Sequence, residues 1–219
     1  MHSRRDMSIT IRRETEGEAA RMHRLTLIAH AATREQRRGF FPRDEPLAQM
    51  PRGAAMRACL GRIDQALTSP RLAARQTAEA LSLKADPAPL LADLDLGRWA
   101  GRPLAAVAAE DGAAVAAWLA DAASAPHGGE SRAALQARVA DFLATRAASA
   151  GHGVAVTHAA VIRAAVLIVL DAPASAFWRI DVEPLSLTDL RFDGRRWALR
   201  ALGLAVEAGQ DERSEPSAT

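Results

Sequence analysis

Two apolar runs that each stop on a histidine constrain the fold of this chain more than any other feature. In the first, Leu25 to Ala29 reads LTLIA, four apolar residues out of five, and His30 follows directly. In the second, GVAVT leads into His158 and then into the apolar run AAVIRAAVLIVL. A short apolar run bounded by turn signals suits a buried strand, and a longer one at helical spacing suits the helix after it. Parallel sheets bind ligands in the crevice outside the carboxyl ends of their strands, so a strand ending on a reactive side chain is placed for chemistry. One such histidine has a plain structural reading as an ordinary strand end, whereas two exits at the same end of one sheet favour a site. His158 also precedes a helix, whose free N–H groups attract anions.

The remaining pattern completes an alternation of strand and helix. RGFFPRDEPL, residues 38–47, is a Pro-broken loop packed down by its aromatic pair, and residues 47–62 are helical in pattern. A short strand ends at Thr68, after which Pro70 suits the first turn of a helix running to about Leu83. DPAPLLADLDLGRWAGRP alternates Leu with Asp, as a short strand or loop that carries carboxylates to an edge. Helical runs follow over residues 103–120 and 130–149. LSLTDLRF and RRWALRAL are then joined by Asp193-Gly194, which predicts a hairpin with a type I′ turn. Strands alternating with helices and a closing hairpin indicate a mainly parallel sheet with an antiparallel edge.

With 219 residues, 49% apolar and 25% charged, and a net charge of +2, the chain has the composition of one folded domain. Residues 1–22 are charged and aperiodic, as in a flexible extension, and the polar tail from Glu207 to Thr219 suits a disordered end, which leaves residues 23–206 as the domain. The single cysteine, Cys59, excludes an internal disulfide or a Cys-based metal site and reads as a small buried side chain. No run reaches the roughly 18 apolar residues that span a bilayer, and the Arg-rich start lacks an apolar leader segment. A cytoplasmic protein with no membrane partner is the expectation. The arginines around His30 stand among Glu35, Asp44 and Glu45, so a nucleic-acid partner is not expected either.

Acid–base chemistry beside two histidines needs a carboxylate, and Asp93, Asp95 and Glu130 lie in loop-like segments. Helix capping and solvated loop charge are their structural alternatives. The order of these segments resembles the histidine phosphatase superfamily, also called the phosphoglycerate-mutase-like fold, over about residues 24–203. LTLIAHAAT matches its strand followed by Arg-His-Gly-x-Thr, and TSPRLAARQTAEAL matches Ser-Pro-x-x-Arg-Ala-x-Gln-Thr-Ala. LADLDLGRWAGRP matches Leu-x-Glu-x-x-x-Gly-x-Trp-x-Gly, and HGGES and GVAVTHAAVIRA follow in the same order. The resemblance implies a three-layer α/β/α sandwich. It also implies that His30 is the nucleophile that becomes phosphohistidine and that His158 stabilises the phosphoryl group. Asp93 stands in for the Glu that protonates the leaving oxygen, Thr33 and Glu130 shape the site, and neither a metal nor another cofactor takes part.

The chain departs from that pattern where the family holds phosphate. Ala29 and Ala73 occupy the positions of its two phosphate-binding arginines, and Ala31 and Ala32 replace the glycine and acidic residue after the nucleophile. Losing one such clamp, treated as an oxyanion-type donor, costs roughly 2–4 kcal/mol of transition-state stabilisation. Arg71, Arg37, Arg34 and Arg75 are the candidate substitutes, with Arg71 only two residues from the family position; Arg38, Arg43 and Arg163 also stand near. The resulting expectation is a hydrolase of small phosphomonoesters working through phosphohistidine at His30. Its alternative is a catalytically silent relative that binds a phosphorylated or acidic ligand or a protein partner. The motifs specify neither the substrate nor the oligomeric state.

Overall fold

Successive side chains of the first strand enter different cores, and that split organises the molecule. The computed structural model describes residues 23–205. In it β1 (His23–Ala29) sends Leu25, Leu27 and Ala29 to one side and Ile28 to the other, as the two-residue period of a strand requires. Around it lie α1 (Arg34–Arg37), α2 (Ala54–Leu60), β2 (Gln65–Thr68), α3 (Leu72–Ala80), β3 (Asp86–Pro87), α4 (Leu104–Glu110) and α5 (Gly112–Ala120). The chain continues through α6 (Arg132–Ala147), β4 (Gly151–Thr157), α7 (Ala159–Val169), β5 (Leu187–Phe192) and β6 (Trp197–Leu204).

The six strands form one sheet in the order β3-β2-β4-β1-β5-β6. β1, β4, β2 and β3 pair in parallel, and β5 and β6 add the antiparallel edge. On the first face Leu135, Val139 and Phe142 of α6 and Ile162 and Val166 of α7 pack on Leu25, Leu27 and Ala155. On the second, Met56 and Leu60 of α2 and Ala74 and Ala78 of α3 cover Ile28, Val154 and Val156. Helices on both faces of a parallel sheet make the α/β/α layering, and they bury β1 and β4 almost completely.

Local chemistry revises several sequence expectations. The helix anticipated over 47–62 is confined to α2, because Pro51 disfavours helical geometry at Met50 and Gly53 runs against α3. A Cβ on Gly53 would stand 2.1 Å from the Ala80 carbonyl oxygen. α3 stops at Ala80, short of Leu83, with Ser82 at φ +52°. The run 103–120 is two helices, since Asp111 turns out of the helix (φ −146°) and its carboxylate accepts the Ala114 N–H, capping α5. Cys59 is exposed, not buried, because Met56 and Leu60 take the inward face of α2. The closing hairpin exists, but its turn is centred one residue later than a type I′ turn at Asp193-Gly194 requires. The Asp193 N–H donates to the Arg196 carbonyl, and only Gly194 carries positive φ (+94°), as at the first central position of a type II′ turn. The extension over 1–22 and the tail from 207 lie outside the described residues. Among those that are described, no helix is long and apolar enough to cross a membrane.

Candidate active site

Three neighbouring strands deliver three polar residues to one edge of the sheet. The His30 N–H donates to the Thr157 carbonyl (2.9 Å) and the Ser69 N–H to the Val156 carbonyl (2.8 Å), so the backbone ladder continues into the site. His30, Ser69 and His158 are thus fixed by the strands themselves. The imidazoles of His30 and His158 meet edge to face, with ring centroids 4.9 Å apart and planes at 66°.

Hydrogen bonds assign the ring protons. His30 Nδ1 is 2.8 Å from the Ala31 carbonyl, which can only accept, so Nδ1 carries the hydrogen and Nε2 keeps a free lone pair. The Ala31 N–H donates to Thr77 Oγ1 (3.0 Å), and that hydroxyl donates to the Ala73 carbonyl (2.8 Å), which ties the turn after His30 to α3. His158 Nδ1 faces Asp93 Oδ2 at 3.5 Å and has no closer partner. The nitrogen facing a carboxylate carries the proton, which leaves His158 Nε2 to accept from the Ser69 hydroxyl at 2.8 Å. Burial lowers the His158 pKa to about 4 against the opposing pull of Asp93, helped by the neighbouring His30 ring and Arg71, so the ring is neutral at physiological pH. The 3.5 Å approach of His158 to Asp93 is therefore a dipolar contact rather than a salt bridge at that pH.

Both histidines line a cavity of about 350 Å³. Asp93, Thr33, Arg71 and Ala73 also line it, so these sequence candidates come together. Thr33 closes its loop by accepting the Gln36 N–H, and Asp93 Oδ1 accepts its own neighbour's N–H from Leu94, leaving Oδ2 toward His158. Glu130 stands outside the cavity: it holds Arg138 through two hydrogen bonds of 2.9 and 2.8 Å. That guanidinium in turn donates to the Leu90 and Ala92 carbonyls immediately before Asp93.

The arginine candidates separate. Arg34, Arg37 and Arg75 are exposed and do not reach the cavity. The single turn of α1 buries no side chain, α3 turns Arg75 away from its buried Ala73–Ala74 face, and Arg37 borders a different, open cleft of about 950 Å³. Besides Arg71, the cavity is lined by Arg43 and Arg163, which the motif spacing did not favour. Arg43 pairs with Glu35, and Arg163 donates through Nε to the Ile180 carbonyl at 2.8 Å. Of the two alanines at expected arginine positions, Ala73 faces the cavity while Ala29 belongs to the apolar core. Sequence reasoning also passed over Ser69, Thr77 and Trp178. Ser69 and Thr77 sit within the TSPRLAARQTA motif; nothing local marks Trp178, which reaches the cavity by the return of residues 177–184 across its mouth.

A family model described as the histidine phosphatase superfamily, branch 1, matches residues 25–205. The chain belongs to the histidine phosphatase superfamily. No curated protein sequence matches it. Solved structures similar to this histidine phosphatase superfamily member include a mycobacterial protein named hydrolase 2, with 26% identity, 87% of this chain and 94% of the other covered, and a TM-score of 0.75. A mycobacterial glucosyl-3-phosphoglycerate phosphatase in complex with VO3 is 26% identical, with 83% and 99% covered and a TM-score of 0.72. An Escherichia coli protein assigned as an alpha-ribazole-5'-P phosphatase is 25% identical, with 84% and 99% covered and a TM-score of 0.71.

Proposed function

We propose that the protein hydrolyses phosphomonoesters of small molecules through a phosphohistidine at His30. The observation that carries this reading is the free Nε2 of His30, aimed by its Ala31 hydrogen bond beside a second, neutral imidazole in a cavity edged by arginine. In the first step Nε2 attacks phosphorus in line with the ester bond. The P–O bond breaks, its electron pair leaves with the oxygen, and a proton taken up from water is relayed to that oxygen through the Asp93 carboxylate. In the second step water attacks phosphorus, the P–N bond returns its pair to Nε2, and the Asp93 carboxylate accepts the water proton. Catalysis of such a loose phosphoryl transfer is mostly positioning and charge stabilisation, the charge falling to Arg71, Arg163 and Arg43 and the positioning to the His158 ring packed against His30. The phosphatases named among the similar structures support the same reaction class.

The test is incubation with a panel of phosphomonoesters, followed by acid-labile phosphohistidine trapping in wild type and His30→Ala. Turnover and labelling in wild type, both lost in the variant, are expected. Ester binding without turnover or label between pH 5 and 8 would instead identify a silent ligand-binding relative.

A further inference from the structure

The cavity wall carries more negative than positive charge, which is unusual for a pocket that receives a phosphate dianion. Asp44, Glu45, Asp93, Asp181 and Glu183 face the three arginines. Two of those arginines are already engaged, Arg43 with Glu35 and Arg163 with a backbone carbonyl. Asp181 and Glu183 are exposed and have no ion-pair partner within salt-bridge distance among the described residues. They flank buried Val182, so the extended segment turns both carboxylates outward while its apolar residue anchors it.

The same segment supplies an aromatic wall. Trp178 lines the cavity with 39% of its surface exposed, while its neighbour Phe177 is buried. The indole is held from behind by Trp118 and Phe177, each with ring centroids 4.8 Å away. Arg132 lies 5.3 Å from the ring. Its guanidinium stands over the ring, and it is buried and committed to the Trp118 and Leu119 carbonyls, so it meets the indole from the protein interior. An indole and two exposed carboxylates on one cavity wall are the chemistry that recognises an ammonium group, although Asp181 Oδ1 also accepts the Val182 N–H and the Asp181 charge acts on Arg163.

Resting on the proposed phosphomonoesterase reading, we infer that the alcohol portion of the substrate carries a positive charge: the ligand class is a phosphorylated amino alcohol, with its ammonium group between Trp178, Asp181 and Glu183. The arginines and histidines then meet the phosphoryl group, and the outer carboxylates meet the cation. An ester bearing a further carboxylate is repelled.

The experiment measures binding of phosphocholine, glycerol 3-phosphate and 3-phosphoglycerate by calorimetry to the full-length His30→Ala protein, with hydrolysis of the same esters by wild type in parallel. Phosphocholine is expected to bind about tenfold tighter than 3-phosphoglycerate, with glycerol 3-phosphate between them. In Asp181→Asn/Glu183→Gln and, separately, in Trp178→Leu, the ratio of affinities is expected to shrink to within about twofold, with Trp178→Phe retaining most of it. Equal or reversed affinities, a preference unaffected by these substitutions, or no binding of any of the three would overturn the inference. Cation-selective binding without turnover would refute the hydrolase reading and leave this one standing, whereas turnover without charge preference would do the reverse.

Discussion

Thr77 shows how much of the site depends on a residue that never touches the cavity. Its hydroxyl is fully buried, accepts the Ala31 N–H and donates to the Ala73 carbonyl, and the Ala31 carbonyl in turn orients His30. Thr77→Val keeps the shape and removes both bonds, leaving a buried N–H unsatisfied. We expect a loss of about 1–3 kcal/mol in denaturant unfolding and a drop in kcat greater than any change in KM; unchanged kcat would show that the turn holds His30 without this hydroxyl. Ala73 offers the opposite experiment. Its methyl lines the cavity, so Ala73→Arg should tighten inorganic phosphate binding by about tenfold or more, as a charge-assisted donor does, and weaker binding in a folded variant would count against a phosphate seat at that wall. Ala29 is a poorer site for the same change, because a guanidinium there would enter the apolar core. At this scale the two histidines were legible because a strand end is a local pattern. Arg43 and Trp178 were not, because loop returns over the sheet edge decide which of many arginines and aromatics reach a cavity, and Arg163 was not, because the packing of α7 decides which of its side chains border the cavity.

Two loops, residues 92–98 and 126–131, are interlocked through backbone as well as through side chains, among them Arg98, whose guanidinium donates to the Pro126 carbonyl. The Glu130 N–H donates to the Asp95 carbonyl (2.7 Å) and the Arg98 N–H to the His127 carbonyl (3.0 Å). A Cβ on Gly129 would lie 2.2 Å from the Asp95 carbonyl oxygen, and one on Gly97, at φ +46°, would lie 2.3 Å from the His127 carbonyl oxygen. The glycines of GRW and HGGES are thus steric requirements for positioning Asp93. Gly129→Ala should force the loops apart, lowering turnover and costing about 1–3 kcal/mol on an overpacking scale; a crystal structure with Asp93 unmoved and full activity would refute that coupling. Element order and strand identity were readable from the alternation of apolar runs. Boundaries were less so: the break at Asp111 arises from competition between a side-chain cap and helix continuation, and the hairpin register from which residue accepts positive φ.

The whole molecule buries several histidines in neutral form. His158 is lowered to about 4, and His23, His127 and His152 are also lowered, in each case chiefly by burial. The unfolded chain therefore binds protons first as pH falls through about 6.5, so stability is full above that value and declines as pH drops toward 4. His158 alone contributes about 3 kcal/mol to this decline. Urea unfolding at pH 7 and pH 4.5 should reveal it, and His158→Asn should flatten the slope across this window; an unaltered slope would place the acid sensitivity in the other three rings. The sheet also divides the labour of the site. His30, Ser69 and His158 follow strands whose hydrogen-bond ladder runs to the last residue, whereas Asp181, Glu183 and Trp178 ride on a connecting segment. Residues 177–184 are therefore a natural graft: exchanging this segment between relatives should change which alcohol is accepted while the phosphoryl chemistry stays with the recipient sheet.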